Sequence, residues 1–204
     1  MDQPVISKYL QKLSDLMMTT AVTDRFGSPL SLDEGADKAV EKILSVGTHS
    51  RKIMLVGNGG SSSVVSHVQN DLCKAVGVRA IVFTEQPLLT ALGNDLGYGS
   101  VYEWPTELWA EPGDLMIAVS SSGKSENILR AVHSSTGKGC DLITFSGFDA
   151  ENPLRSLGAL NFHVGSHVYG FVETAHAALT HFLTDRAMDI LRASPDAEKT
   201  GNSD

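Results

Sequence analysis

Five short apolar runs constrain this chain more than any other feature: 52–56 (KIMLV), 80–83 (AIVF), 115–119 (LMIAV), 142–145 (LITF) and 160–164 (LNFHV). They are too short for helices. Continuous apolarity, as in the first and third, suits strands buried on both faces. Between them, residues 61–74, 125–136 and about 170–192 read as helices. Two more helices come first. Residues 3–20 place Val5, Leu10, Leu13, Leu16 and Met17 near one stripe. After a break at Arg25–Pro29, Ser31-Leu32-Asp33-Glu34 reads as a capping box, opening a helix to about Val46 with Ala36, Val40, Ile43 and Leu44 inward. Strands alternating with helices predict an α/β fold, a five-stranded parallel sheet flanked by helices. The expected organisation is one domain over residues 1–193, with the N-terminal helices in 1–50 and a polar, disordered tail at 194–204.

Length and charge bound the function. A chain of 204 residues suits one well-buried domain. A net charge of -8 argues against a broad grip on nucleic acid. No stretch approaches the roughly 20 apolar residues of a membrane span. The first twenty residues are dotted with charge and lack an apolar signal core. Cys73 and Cys140 give neither a disulfide framework nor a CxxC ligand pair. A cytoplasmic protein with reduced thiols is expected.

In open parallel sheets, ligands sit at the C-terminal ends of strands, where chain order reverses. Two unusual loops fall there. The first reads Gly57-Asn58-Gly59-Gly60-Ser61-Ser62-Ser63; the second reads Ser120-Ser121-Ser122-Gly123-Lys124-Ser125. Each follows a strand and opens a helix, whose unpaired N–H groups attract anions. Glycines admit close approach and serines add donors. A sugar phosphate or nucleotide phosphate is the natural guest. Neither loop completes a nucleotide motif. Ala118 stands where a Walker loop needs its first glycine, and Ser62 where a dinucleotide fingerprint needs its last.

His67 and Asp71 are four apart and share a helix face, a spacing at which one metal ion can be chelated. The last helix adds Glu173, His176 and His181. His176 reads as a packed core histidine. Glu173 and His181 are eight apart, about 12 Å along a helix axis. To share one ion, either the helix begins after Glu173 or two copies of the chain contribute.

The segments GNGGSSSVVSHVQNDL, LGNDLGY, SSSGKSENI and VETAHAALTH, in this order, resemble the sugar isomerase (SIS) domain family, closest to its phosphoheptose isomerases. Those enzymes convert sedoheptulose 7-phosphate to glycero-manno-heptose 7-phosphate. The resemblance covers most of the chain and implies the flavodoxin-like SIS fold, assembled as a tetramer with sites between subunits. It implies substrate contacts at Asn58, Gly59, Gly60, Ser61, Asp71, Asn94, Asp95 and Glu173, and a phosphate loop at Ser120, Ser121, Ser122 and Ser125. It implies a zinc site at His67, Asp71, Glu173 and His181, with Asp71 as base and His181 as acid/base partner; manganese and nickel are alternatives. Two positions depart from the family: Asp71 replaces its glutamate and Glu173 its glutamine. Among the relatives are non-catalytic proteins that bind the replication initiator or sense sugar phosphates. In the initiator-binding ones the position of His181 is not histidine.

Overall fold

A computed structural model describes residues 5–49 and 51–193. Seven strands form one sheet in the order β2-β1-β7-β6-β5-β3-β4. The five expected strands are β3 (Ile53–Gly57), β4 (Ala80–Val82), β5 (Leu115–Ser120), β6 (Asp141–Gly147) and β7 (Leu160–Val164), all parallel. Strands β3 and β5 are buried along their whole length, as continuous apolarity predicts, and β7 is too although it carries Asn161 and His163.

The strand count of five is corrected to seven. A hairpin of β1 (Ala21–Asp24) and β2 (Pro29–Leu30) adds antiparallel to the free edge of β7, with Val22 opposite Phe162. Its turn is the break read at Arg25–Pro29. Gly27 takes φ +78°, while the Asp24 carboxylate accepts from the N–H groups of Phe26 and Ser28. Two-residue and four-residue strands carry too little alternation to be read from sequence.

The helices form two layers. On one face lie α2 (Leu32–Thr48), α3 (Gly60–Asp71) and α7 (Tyr169–Ala193); their apolar sides meet the sheet through Ile43, Val65, Val68 and Leu183. On the other lie α4 (Gln86–Asp95), α5 (Glu103–Trp109) and α6 (Glu126–Gly137), packed through Leu92, Tyr102, Ile128 and Val132. Helix α1 (Ile6–Met18) lies against α7 through Leu13. The capping box at α2 forms as expected: Glu34 N–H donates to Ser31 Oγ, and Ser31 N–H to the Glu34 carboxylate.

Two helices were not read from the sequence. Asn94 and Asp95 end α4, whose start is marked by Pro87 in its first turn. Trp104 and Trp109 on α5 are 42% and 47% exposed, because the helix turns Pro105 and Thr106 inward. The tail expected at 194–204 lies outside the described residues. No helix among the described residues is long and apolar enough to cross a membrane.

Chain order reverses at β3. Its successor β4 pairs on one side and β5 on the other, so the ends of β3 and β5 border the crevice where such sheets bind ligands. At the opposite end of these strands, the fully buried Asp114 holds the sheet in register. Its carboxylate accepts from Lys52 N–H at 3.0 Å and Glu111 N–H at 2.8 Å, and lies 2.7 Å from the Lys52 ammonium. Asp114→Ala would leave the Lys52 and Glu111 N–H groups without this acceptor and the largely buried Lys52 ammonium with Glu111 alone, 3.1 Å away. It should lower the unfolding free energy by about 3 kcal/mol in urea titrations at neutral pH; a loss below about 1 kcal/mol would contradict this role.

Candidate active site

The two Gly/Ser loops meet at the crevice. Asn58, Gly59, Gly60 and Ser61 line one wall of a cavity of about 240 Å³; Ser120, Ser121, Ser122 and Ser125 line another, with Tyr169 and Glu173 from α7 closing it. Parallel pairing of Gly57 with Val119 puts the two strand ends side by side. A reciprocal amide pair then ties the loops together. Asn58 Nδ2 donates to Asn127 Oδ1 and Asn127 Nδ2 to Asn58 Oδ1, each at 2.9 Å. The Tyr98 hydroxyl donates to Asn58 Oδ1 at 3.2 Å. The Tyr102 hydroxyl donates to Gly57 O at 2.6 Å, and burial pushes its pKa up to about 12.

Glycine is required at two points. Gly59 takes φ +54°, which turns the chain from β3 into α3. Gly123 takes φ +62°, and a Cβ there would overlap the side chain of the buried Asn152. Asn152 in turn donates to Gly147 O and Asp149 O, and the backbone on either side of it holds the second loop: Gly147 N–H donates to Ser121 O and Leu154 N–H to Gly123 O. One hydroxyl in the cavity wall is left over: Ser121 Oγ is buried and without a hydrogen-bond partner. A buried orphan donor at a cavity wall suits a ligand that accepts hydrogen bonds.

The histidines converge further along the same two helices. His67 Nε2 lies 3.4 Å from Asp71 Oδ2, and His181 Nδ1 lies 3.5 Å from it; the imidazole centroids are 4.7 Å apart. These ligand atoms all fall within 4.8 Å of one another. A tetrahedral site with bonds near 2.1 Å has edges of about 3.4 Å, so both measured edges and the donor set fit zinc. Immediately after Asp71 the helix widens into a π turn, Leu72–Val76, a distortion common beside functional groups.

Glu173 does not join them. Helix α7 starts at Tyr169, before Glu173, so the helix does not begin late as one alternative required. The carboxylate instead overlies Gly60, where a Cβ would overlap it. The three remaining groups come from one chain, and no second copy is needed to gather them. Asn94 and Asp95 are also elsewhere: both are exposed, Asn94 Nδ2 donates to Asp95 Oδ1, and neither lines the cavity.

The cradle and the histidines border two separate pockets along the same pair of helices. Gly60 faces Glu173, and His67 faces His181, so α3 and α7 run parallel. Seven residues separate the first pair of positions on α3 and eight on α7, and equal advance keeps both contacts in register. Gly60, Ser63, Val64 and His67 follow one helical face; so do Glu173, Ala177, Thr180 and His181. The advance is roughly 10–12 Å at 1.5 Å per residue.

Asn127, Asn152, Tyr98 and Tyr169 were not read from the sequence. Asn127 could have been, since it falls in the first turn after the serine loop.

His176 is a core residue, as expected. It is fully buried, with Nε2 at 3.1 Å from Ser146 O and the ring edge-on to Phe145. Burial pushes its pKa down to about 4, and burial lowers that of His163 beneath it as well.

Comparison with known proteins follows the same lines. Residues 29–147, more than half of the chain, match the SIS domain family. A curated relative, the phosphoheptose isomerase of Syntrophotalea carbinolica, is 29% identical over 187 residues, covering 88% of this chain and 90% of that protein. The structure of the phosphoheptose isomerase from Neisseria gonorrhoeae superposes with a TM-score of 0.75 at 22% identity, covering 90% of this chain and 97% of that one. The one from Francisella tularensis gives 0.76 at 20% identity, covering 91% and 96%.

The buried histidine makes stability pH-dependent. The unfolded chain protonates His176 near its ordinary value of 6.5, whereas the folded chain resists until about 4. Below about pH 6.5 the unfolded state therefore binds more protons, and stability falls as pH drops toward the folded value. Chemical denaturation should show a loss of about 2 kcal/mol from His176 between about pH 7.5 and pH 5. His176→Gln should flatten that slope, leaving the smaller part due to His163; an unchanged slope would contradict the assignment.

Proposed function

The chain belongs to the SIS domain family, and from that premise we propose that it is an aldose–ketose isomerase of sugar phosphates, with sedoheptulose 7-phosphate as substrate and glycero-manno-heptose 7-phosphate as product. One observation carries the reading: His67, Asp71 and His181 converge two helical turns along α3 and α7 from the serine cradle. An open chain of seven carbons with its phosphate spans roughly 10 Å at bond lengths near 1.5 Å. That matches the advance along α3 and α7 from the cradle to the histidines. The names of the relatives point the same way.

In this reading the hydroxyls of Ser120, Ser121, Ser122 and Ser125, with the start of α6, hold the phosphate. The carbonyl end of the sugar then reaches the histidines. Isomerisation moves a proton between adjacent carbons through an enediolate, which needs a base at carbon and a proton exchanger at oxygen. Asp71 takes the carbon proton and His181 passes the oxygen proton. Asp71 carries one methylene fewer than the glutamate usual in the family. Its placement in the last turn of α3, against both imidazoles, brings the carboxylate to the ring nitrogens all the same. His67, Asp71 and His181 would hold a zinc ion with a fourth position left open, and the ion would stabilise the developing oxyanion.

The same reading includes self-association into a tetramer. Ile6 and Leu10 on α1 and Phe182, Ile190 and Leu191 on α7 are exposed apolar residues. Met18, Leu32, Leu179 and Phe182 border an apolar groove of about 280 Å³ between these helices and α2. Burying them against further copies removes apolar surface from water. Light scattering should give four times the chain mass; a monomer would contradict this.

Zinc-loaded protein should interconvert a ketose phosphate and its aldose. Asp71→Asn and His181→Ala should each cut kcat by about 1,000-fold or more while circular dichroism stays unchanged. Near-normal turnover in either variant would refute the assignment. Metal-free wild-type protein without turnover in any metal would favour a binding protein of the same family.

A further inference from the structure

A second cavity, of about 460 Å³, lies at the hairpin edge of the sheet. It is larger than the cradle and shares no lining residue with it. One wall is the β1–β2 turn, with Asp24, Arg25 and Phe26; the other is the segment after β6, with Glu151, Asn152 and Arg155. Its size falls in the range of about 300–1,000 Å³ that small-metabolite sites occupy.

Two guanidinium groups line this space with little to hold them. Arg155 is half-buried, spends one donor on Ala150 O at 2.8 Å, and pairs with no carboxylate among the described residues. Arg25 is exposed, and its ion pair with Asp141 is loose at 3.8 Å. The planar fork of a guanidinium matches phosphate oxygens two at a time. Phe26 adds a surface of another kind. It is 84% exposed, yet its turn is held firm, because Asp24 Oδ1 accepts from the N–H groups of both Phe26 and Ser28. A large ring fixed at a cavity wall and left in water suits a flat partner. The carboxylates of Asp24 and Glu151 border the same space. Ionised carboxylates only accept hydrogen bonds, so they disfavour a bare phosphate and favour the hydroxyls of a sugar. A simple anion would use the arginines alone, and an apolar guest the ring alone. A nucleotide uses all three kinds of group.

We infer that the cavity between the β1–β2 turn and the 3-10 turn Pro153–Ser156 is a nucleotide site: Arg25 and Arg155 take the phosphates, Asp24 and Glu151 accept from the ribose hydroxyls, and Phe26 stacks on the base. Nothing in this assignment depends on what the cradle binds or on isomerisation.

Calorimetric titration of the full chain with ADP, GDP and UDP tests it, with pyrophosphate and the matching nucleosides as separate halves. At least one diphosphate should bind about tenfold more tightly than either of its halves, or better. Phe26→Ala and Arg25→Gln should each weaken it about tenfold, with circular dichroism unchanged because both side chains are exposed on the turn. Arg155→Gln should weaken it at least as much. That change also removes the bond to Ala150 O, so the two turn variants decide the matter. Ser121→Ala in the cradle and His67→Ala in the histidine cluster should bind the nucleotide as wild type does. No binding of any of the three diphosphates at about 1 mM would overturn the inference. Unchanged affinity in Phe26→Ala and Arg25→Gln would overturn it too, as would a loss confined to Ser121→Ala or His67→Ala, which would put the nucleotide in the crevice. Pyrophosphate binding as tightly as the diphosphates would leave an anion site and overturn the nucleotide assignment.

Discussion

Parallel pairing of β3 with β5 is the constraint on which the rest depends. It sets Gly57 beside Val119 and so brings the ends of two sequence-distant strands to one crevice. Each strand then feeds a loop that opens a helix. The Asn58–Asn127 amide pair fixes one loop against the start of α6, and backbone bonds from Gly147 and Leu154, beside Asn152, brace the second loop from behind. Without that pairing the serines and glycines would be two unrelated turns. With it they line one cavity.

A second consequence follows from helix direction. Helices α3 and α7 both start at this end of the sheet and run alongside each other. A residue near the start of one meets a residue near the start of the other, and the correspondence persists two turns on. Gly60 against Glu173, and His67 against His181, are two expressions of one parallel alignment. The distance between the cradle and the histidines is thereby set by helical rise, not by loop conformation. Rigid elements hold such distances better than loops do.

The sequence made much of this legible. The buried strands, the capping box at Ser31, both loops and the His67–Asp71 spacing are local patterns, and they appear where expected. The core role of His176 was legible too, since an apolar helix face leaves few other roles for it. What the sequence concealed is non-local. The edge hairpin has strands too short for periodicity. Helix α4 lies between the second and third apolar runs, where no helix was read, although Pro87 marks its beginning. The separation of Glu173 from the histidines depends on how two helices align, which no spacing along one helix discloses. The bracing asparagines, Asn127 and Asn152, are ordinary polar residues until the fold buries them.

The most direct test of the account follows the sugar's own carbon-bound hydrogen. Zinc-loaded protein incubated with sedoheptulose 7-phosphate in D2O can be watched by NMR. The account requires an aldose phosphate to form, with solvent deuterium entering at the carbon that exchanges its proton in the enediolate. A ketose that stays unchanged and carries no deuterium, in protein shown to hold the metal and to bind phosphate, would contradict it.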